Sequence, residues 1–351
     1  MPGLGTAVIN RWPVADVYQL GLSRHAPAIL KTVARAIPTF AFAAQTLSEL
    51  AGSDWAFREL DFRPLEGFRA CNPSITRHGG ALFCSVRTFE GQPSGIVNRN
   101  FLLELDQDGG VTSSSELLCR QGLPNSAYHG PEDVRLFSYQ GELWGSFTVA
   151  DHHLSGLGQI GLARLDKHGF GDIVVQDFGG YRLQKNWMPF VDNEGLGWIY
   201  QCDPTIVLRY HHGLGQAVEW KRWQPFWALD GQRGGSQLVP WDDGWLCVTH
   251  ETIHRTRRFY LHRFMRMDAN FAVTGLSRPF HLVRPGVEFC SGLCRRKGGE
   301  FWLSFGLADS QAMLGVIKEE AVRRLLMDCP PSVELGTPVL GYDYWKGRLG
   351  L

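Results

Sequence analysis

Over most of the chain, apolar residues alternate with polar ones in short runs, each broken by glycine or by an Asp/Asn turn. One stretch differs. From Ala26 to Leu50, "APAILKTVARAIPTFAFAAQTLSEL" spaces its apolar positions as a helix does, with an interruption at Pro38. Beyond it the alternating runs recur in register. Five times a polar start leads into a strand, a turn and a second strand opened by glycine. The five are "NPSITRHGGALFCSV" from Asn72, "EDVRLFSYQGELWGSF" from Glu132, "NWMPFVDNEGLGWIY" from Asn186, "GSQLVPWDDGWLCVTH" from Gly235 and "CSGLCRRKGGEFWLSFG" from Cys290. The opening glycines are Gly80, Gly141, Gly197, Gly244 and Gly299, and a third strand often ends in a tag such as "LLELD", "GLARLD" or "LHRFMRMD".

Repeats of about 50 residues, each a small antiparallel sheet, predict an all-β fold, a five-bladed β-propeller. One such sheet cannot bury both faces alone, whereas a ring of them buries each against the next. A β-sandwich is the other all-β option, and it would not require such constant offsets. The pattern divides the chain into an N-terminal helical extension (1–60), the propeller (61–330) and a C-terminal tail (331–351) that packs on or closes it.

In a propeller the first strand of every blade lines the central axis, so the strand starts converge on one funnel. Here they supply Asn72 and Ser74; Glu132, Asp133 and Arg135; Lys185 and Asn186; Arg233, Ser236 and Gln237; Glu288 and Ser291. Blade packing alone would have put apolar residues there. Consecutive strand residues point to opposite faces, so only one of Glu132 and Asp133 should face the axis. Asp133, on the same face as Arg135, is the acid–base candidate; a solvated turn paired with an arginine is the plain alternative. Lys185, Arg233 and His250 form a cationic set able to hold an anion the size of phosphate, unless they serve as rim partners for Glu251 and Glu288. Most tryptophans suit the blade core; Trp187, beside Lys185, is the one expected to touch a sugar.

Charge and cysteine usage narrow the partners. Lys plus Arg equals Asp plus Glu, 35 each, so no overall field draws the chain to nucleic acid or to a membrane surface. None of the eight cysteines forms a CxxC pair and most lie in apolar runs, which suits buried thiols in a reducing compartment. The N-terminus lacks a basic start followed by an apolar stretch, and no run of about 18 apolar residues occurs. A cytoplasmic protein without a membrane span is expected, with self-association through the apolar face of "AILKTVARAI" as an option. "LDQDGG" places Asp106 and Asp108 at a spacing some transferases use for a metal, but its ending suits a hairpin turn. No phosphate-cradling GxxxxGK[ST] loop or GxSxG elbow is present, and no metal is expected.

These residues resemble glycoside hydrolase family 130, the inverting β-mannoside phosphorylases and mannosidases, and the related glycosyltransferase family 108. "GPEDVR" is similar to the family's Glu-Asp-Pro-Arg motif, which implies that Asp133 is the proton donor. "KNWMPF", "GGSQLVPWDDGWLCVTHE" and "FWLSFGLADSQAMLGV" resemble its lysine-led third-blade motif, its segment ending in a phosphate-binding histidine (here His250) and its closing segment with Asp309. Val134 stands where the motif has proline, and "RGGSQ" where the phosphorylases carry a Gly-Gly-Pro-Pro run; with "EFCSGL" this is closer to the transferase-like branch.

The resemblance implies inverting glycosyl transfer on β-mannosides, with no cofactor. Inorganic phosphate, a sugar phosphate or a nucleotide sugar would be the co-substrate, and a small sugar or an oligosaccharide the partner. Lys185, Arg233 and His250 would hold the phosphate, and Asn72, Ser74, Glu132, Arg135, Asn186, Trp187, Ser236, Glu288 and Asp309 the sugars. Two alternatives stay open. An inverting hydrolase needs a second carboxylate, from Glu251, Glu288 or Asp309, roughly 6.5–9.5 Å from the first. A non-catalytic glycan- or protein-binding propeller would keep its acid in a closed salt bridge.

Overall fold

The computed structural model describes residues 44–336, except 93–94, 121, 123–127, 179, 181, 227–228, 230 and 255–257. Its strands fall into five separate antiparallel-based sheets, one per repeat. Their innermost strands are Arg69–His78, Glu132–Tyr139, Met188–Asp192, the pair Gln232–Gly234 and Val239–Trp241, and Glu288–Arg296. Successive hairpins build each blade outward from these. In the third repeat the second strand is Gly195–Cys202, opened by Gly195 rather than Gly197. Gly197 lies mid-strand, where a Cβ would meet the Phe190 ring at 2.4 Å and the Leu208 carbonyl oxygen at 2.6 Å. With Gly195 as the opening residue, the third repeat takes the same nine-residue offset as three of the others.

The core shows why the sheets form a ring. Among the described residues five apolar clusters form, and each joins two neighbouring blades. Ile75 and Leu103 of the first blade meet Trp302 and Leu314 of the last; Leu102 of the first meets Val134 and Phe147 of the second. Phe137 meets Trp187 and Trp198, Phe190 and Val207 meet Trp245 and Met265, and Val248 and Phe264 meet Leu293 and Phe305. Burial of both faces thus requires closure.

Backbone hydrogen bonds between segments from opposite ends of the chain also close the ring. Trp55–Glu59, which precedes the first blade, pairs with Gln311–Lys318 as the outer strand of the last. The boundary expected at residue 60 therefore moves, because the propeller already includes this strand. From the other end of the chain, Leu326–Asp328 and Val333–Leu335 add outer strands to the fourth and third blades. Only the end of the expected N-terminal helical segment falls within the described residues. It is the short helix Leu47–Ala51, opened by a Thr46/Glu49 capping box, with Leu47 and Ala51 in the cluster between the last two blades. Residues 26–43, and with them the face considered for self-association, lie outside the described residues. No helix among the described residues is long and apolar enough to cross a membrane.

Candidate active site

The site is made by kinks in the innermost strands. Asn72, Asp133 and Asn186 occupy matching places in the first three blades and all have left-handed backbones, with φ of 45°, 55° and 63°. Asn and Asp tolerate this region better than other side-chain-bearing residues. In the first two blades the pairing skips there. Cys71 faces Arg87 and the next pair is Ser74 with Ser85; Glu132 faces Thr148 and the next is Arg135 with Ser146. These are β-bulges, and a bulge re-aims side chains. The expectation that only one of Glu132 and Asp133 can face the funnel is corrected on this ground: both carboxylates reach the same atom, Arg87 Nη1, at 3.2 and 3.0 Å.

Asp133 lies at the floor of a cavity of about 420 Å³. Its Oδ1 accepts from Asn72 Nδ2 at 2.8 Å as well as from Arg87. Its Oδ2 takes no side-chain hydrogen bond among the described residues, so one oxygen is anchored and the other is left to a ligand. Burial pushes the carboxyl up, but Arg87, Asn72, Arg135 and Lys185 together outweigh it and hold the group below the usual carboxylate range. In the free protein Asp133 is therefore ionised.

The expected cationic set meets in this cavity but differs in character. Lys185 donates to both oxygens of Glu132, at 2.9 and 3.0 Å. The Arg233 side chain is exposed and makes no hydrogen bond or ion pair among the described residues. His250 is buried, stacked on Tyr260 with ring centres 5.4 Å apart and edge-on to Phe289. Burial, followed by Arg135 and Arg233, pushes its pKa down to about 3. It is a neutral imidazole at physiological pH, so it offers a hydrogen bond and not a charge. Asp309 also lines the cavity, paired with Arg258 at 3.1 Å. Neither pair is with Glu251 or Glu288.

Several expected site residues sit beneath the cavity instead. Arg135 is almost fully buried and ties three blades: Nε donates to Gly235 O (2.7 Å), Nη1 to Asp133 O (3.1 Å) and Nη2 to Asn186 Oδ1 (3.0 Å). Ser74 Oγ accepts from Leu136 N, and Ser236 Oγ from Val248 N. Gln237 and Ser291 donate to carbonyls of the first blade, Ile75 O and Pro73 O. The reason is shared. Kinked or interrupted inner strands leave backbone groups without ladder partners at the axis, and polar side chains of an adjacent blade or, for Ser236, of the same blade satisfy them. Trp187 is 1% exposed and packs edge-on against Trp198, Phe178 and Tyr200, so it is blade core and no sugar platform. Glu288 is fully buried and accepts from the backbone N–H groups of Leu282, Val283 and Arg284. Burial pushes it up to about 7 against the pull of those donors. It fixes a loop and leaves the cavity to others.

Sequence reasoning missed Arg87, Thr252, Arg258, Tyr260 and Phe289, all of which line the cavity. It considered mainly strand starts, whereas Arg87 comes from the middle of a second strand, Ala81–Gln92, paired with Cys71 beside Asn72. The signal was available: His250 occupies the corresponding place in the fourth blade, paired with Arg233. The Asp106 segment is the turn its sequence suggested, Oδ1 accepting from the N–H groups of Asp108 and Gly110.

No protein-family model and no curated protein matches the chain. Solved structures do. One is described as a GH130 mannoside phosphorylase-family protein among glycoside hydrolases that target β-1,2 mannosidic linkages in Candida mannan; it is 13% identical, with 72% of this chain and 85% of that one covered and a TM-score of 0.54. A second is the β-1,2-mannobiose phosphorylase of Listeria innocua in complex with β-1,2-mannobiose: 12% identity, 80% and 98% covered, TM-score 0.52. A third is MPT-1 of Leishmania mexicana, a GDP-Man-dependent mannosyltransferase: 13% identity, 77% and 92% covered, TM-score 0.51. The fold is theirs. The family that the motifs resemble thus also appears among the structural neighbours, and at such identity the likeness speaks for the fold alone.

Proposed function

We propose that this protein is an inverting glycosyl-transferring enzyme that forms β-mannosides from a phosphorylated mannose donor. The observation that carries this reading is the pairing of an ionised Asp133, one oxygen free, with an unpaired Arg233 in the same cavity. In the synthetic direction Asp133 accepts the proton of the acceptor hydroxyl. That oxygen attacks the anomeric carbon as the bond to the phosphate oxygen breaks, and the phosphate leaves with the electron pair. Arg233 meets the charge that grows on it, while Lys185 stays paired with Glu132. Phosphorolysis is the reverse and needs the proton on Asp133 at the start. The depressed pKa means that the free protein rests in the protonation state from which synthesis starts.

Support for the hydrolase alternative is thinner. Glu288 is committed to the backbone, and Glu251 is absent from the cavity lining, which leaves Asp309 beside Arg258. The binding-module alternative required a closed salt bridge at the acid; Asp133 does pair with Arg87 at 3.0 Å, but through Oδ1 alone, and Oδ2 has no side-chain partner among the described residues.

The test is incubation with mannose 1-phosphate or GDP-mannose and mannose or mannobiose as acceptor. Oligosaccharide with inverted configuration relative to the donor is expected. No product from either donor, together with no phosphorolysis of β-mannosides, refutes the reading. A second expectation concerns Arg233→Gln. With no side-chain partner among the described residues to lose, it should melt with the native protein, while KM for the phosphorylated donor rises about 10- to 100-fold, as loss of a charge-assisted contact of about 1.5–3 kcal/mol predicts.

A further inference from the structure

Beside the candidate active site lies a second, smaller cavity of about 230 Å³ with a different lining. The two share Tyr128, Glu132 and Lys185, so they are continuous on the side of the carboxylates, away from Arg233. Apart from that shared Glu132–Lys185 pair, the residues lining the smaller cavity carry no charge. Leu157 and Leu183 lie across from the pair, 40% and 60% exposed, and Leu154 in the same loop is 92% exposed. These leucines are held in place. Gln184 N donates to Gly158 O at 2.8 Å, and the buried Gln159 side chain donates to Arg182 O at 2.9 Å, so the two segments flank each other. Gly158 leaves just enough room for Leu183: a Cβ there would sit 2.9 Å from Leu183 Cδ1.

Open apolar side chains grouped at the mouth of a cavity mark a contact surface. Their position decides what touches them. In an inverting transfer the leaving phosphate and the incoming hydroxyl approach opposite faces of the sugar, so the carboxylate side is the acceptor's side. We propose that the smaller cavity receives an apolar aglycone, an alkyl, acyl or prenyl group, attached to the sugar whose hydroxyl is glycosylated. This rests on the transferase reading for its orientation, and not for the binding itself. The cavity holds the equivalent of about seven or eight water-sized units at ~30 Å³ each, which suits a chain of similar length. A sugar ring in the same space would leave Leu157 and Leu183 wet and, besides the Glu132–Lys185 pair, meet only Asn98, Tyr128 and Thr148 as polar side chains.

The experiment uses the full chain and a series of methyl, butyl, hexyl and octyl mannosides, each below its micelle concentration. Affinity is measured by calorimetry, and kcat/KM is followed in parallel with the phosphorylated donor. Affinity should rise about two- to fourfold per methylene and level off once the cavity is full. Leu157→Ser combined with Leu183→Ser, both at exposed positions, should flatten the series and leave methyl mannoside unchanged. A series that is flat in the native protein, or one whose slope survives in the double variant, overturns the proposal. An apolar group can come from a free glycoside or from a bilayer, so a further arm presents neutral phosphatidylcholine vesicles without sugar. Binding to these, lost in the double variant, would assign the leucines to a membrane surface and also overturn it. Failure of the function is separable. A sloped affinity series without turnover refutes the transferase reading alone, and product from mannose or mannobiose with a flat series refutes the aglycone site alone.

Discussion

Replacing Asp133 with asparagine is expected to abolish glycosyl transfer and leave the propeller standing. Turnover should fall about 10²- to 10⁴-fold, the range that a positioned acid–base group contributes. The fold should survive because asparagine tolerates the left-handed backbone that residue 133 adopts, with φ of 55°, as Asn72 and Asn186 do in the neighbouring blades. An amide oxygen at the Oδ1 place still accepts from Asn72 Nδ2 and Arg87 Nη1. What the amide cannot do is take a proton from a hydroxyl. Calorimetric binding of a mannoside and a melting curve check the two halves: retained binding, a midpoint within a few degrees, and no product. Wholesale unfolding would show the carboxylate to be structural, and retained turnover would remove it from the chemistry.

Arg135→Met should have the largest effect on stability. It deletes a buried cation that bonds Gly235 O, Asp133 O and Asn186 Oδ1 and lies over the Phe289 ring at 5.5 Å. Three acceptors from three blades would then be stranded at the axis. Burial presses the Arg135 guanidinium down to about 10, so it remains charged at neutral pH and helps to keep Asp133 ionised. Breaking such a set costs about 3–5 kcal/mol. In a domain of this size that lowers the melting midpoint by roughly 5–15 °C. Arg135→Lys should rescue little of it, because one ammonium cannot span the fork of acceptors that the planar guanidinium reaches. Urea unfolding of both variants decides; a loss below about 1 kcal/mol would show that the axis does not depend on this side chain.

Both expectations turn on the same feature, a polar axis with two tasks. Ser74, Ser236, Gln237 and Ser291 spend their hydrogen bonds on backbone groups that the kinked inner strands release. Asn72, Asp133, Lys185 and Arg233 lie one level higher, at the cavity. All were visible in the sequence as polar residues at strand starts, and the strand-start rule alone could not sort them. Sorting needs the height of each residue along the axis, which depends on where each strand kinks.

The sequence by itself determined the number of blades, their order and the end of each blade at which chemistry gathers. Short strands repeated with glycine-opened hairpins at near-constant offsets make each repeat a small sheet that cannot bury its faces alone and that neighbours in a ring can cover. It also singled out Asp133, because an acid pair at the mouth of a buried strand is costly unless it is used or paired. Tertiary structure alone decided the rest. A bulge turned both Glu132 and Asp133 toward Arg87, a residue 45 positions from the nearer of them in the chain. Packing buried Trp187 and Glu288 away from the cavity, and it enclosed His250 among aromatic rings and arginines until its charge became unfavourable. Local pattern sets which way a chain alternates; which neighbour meets a side chain, and at what cost to its charge, depends on contacts between blades.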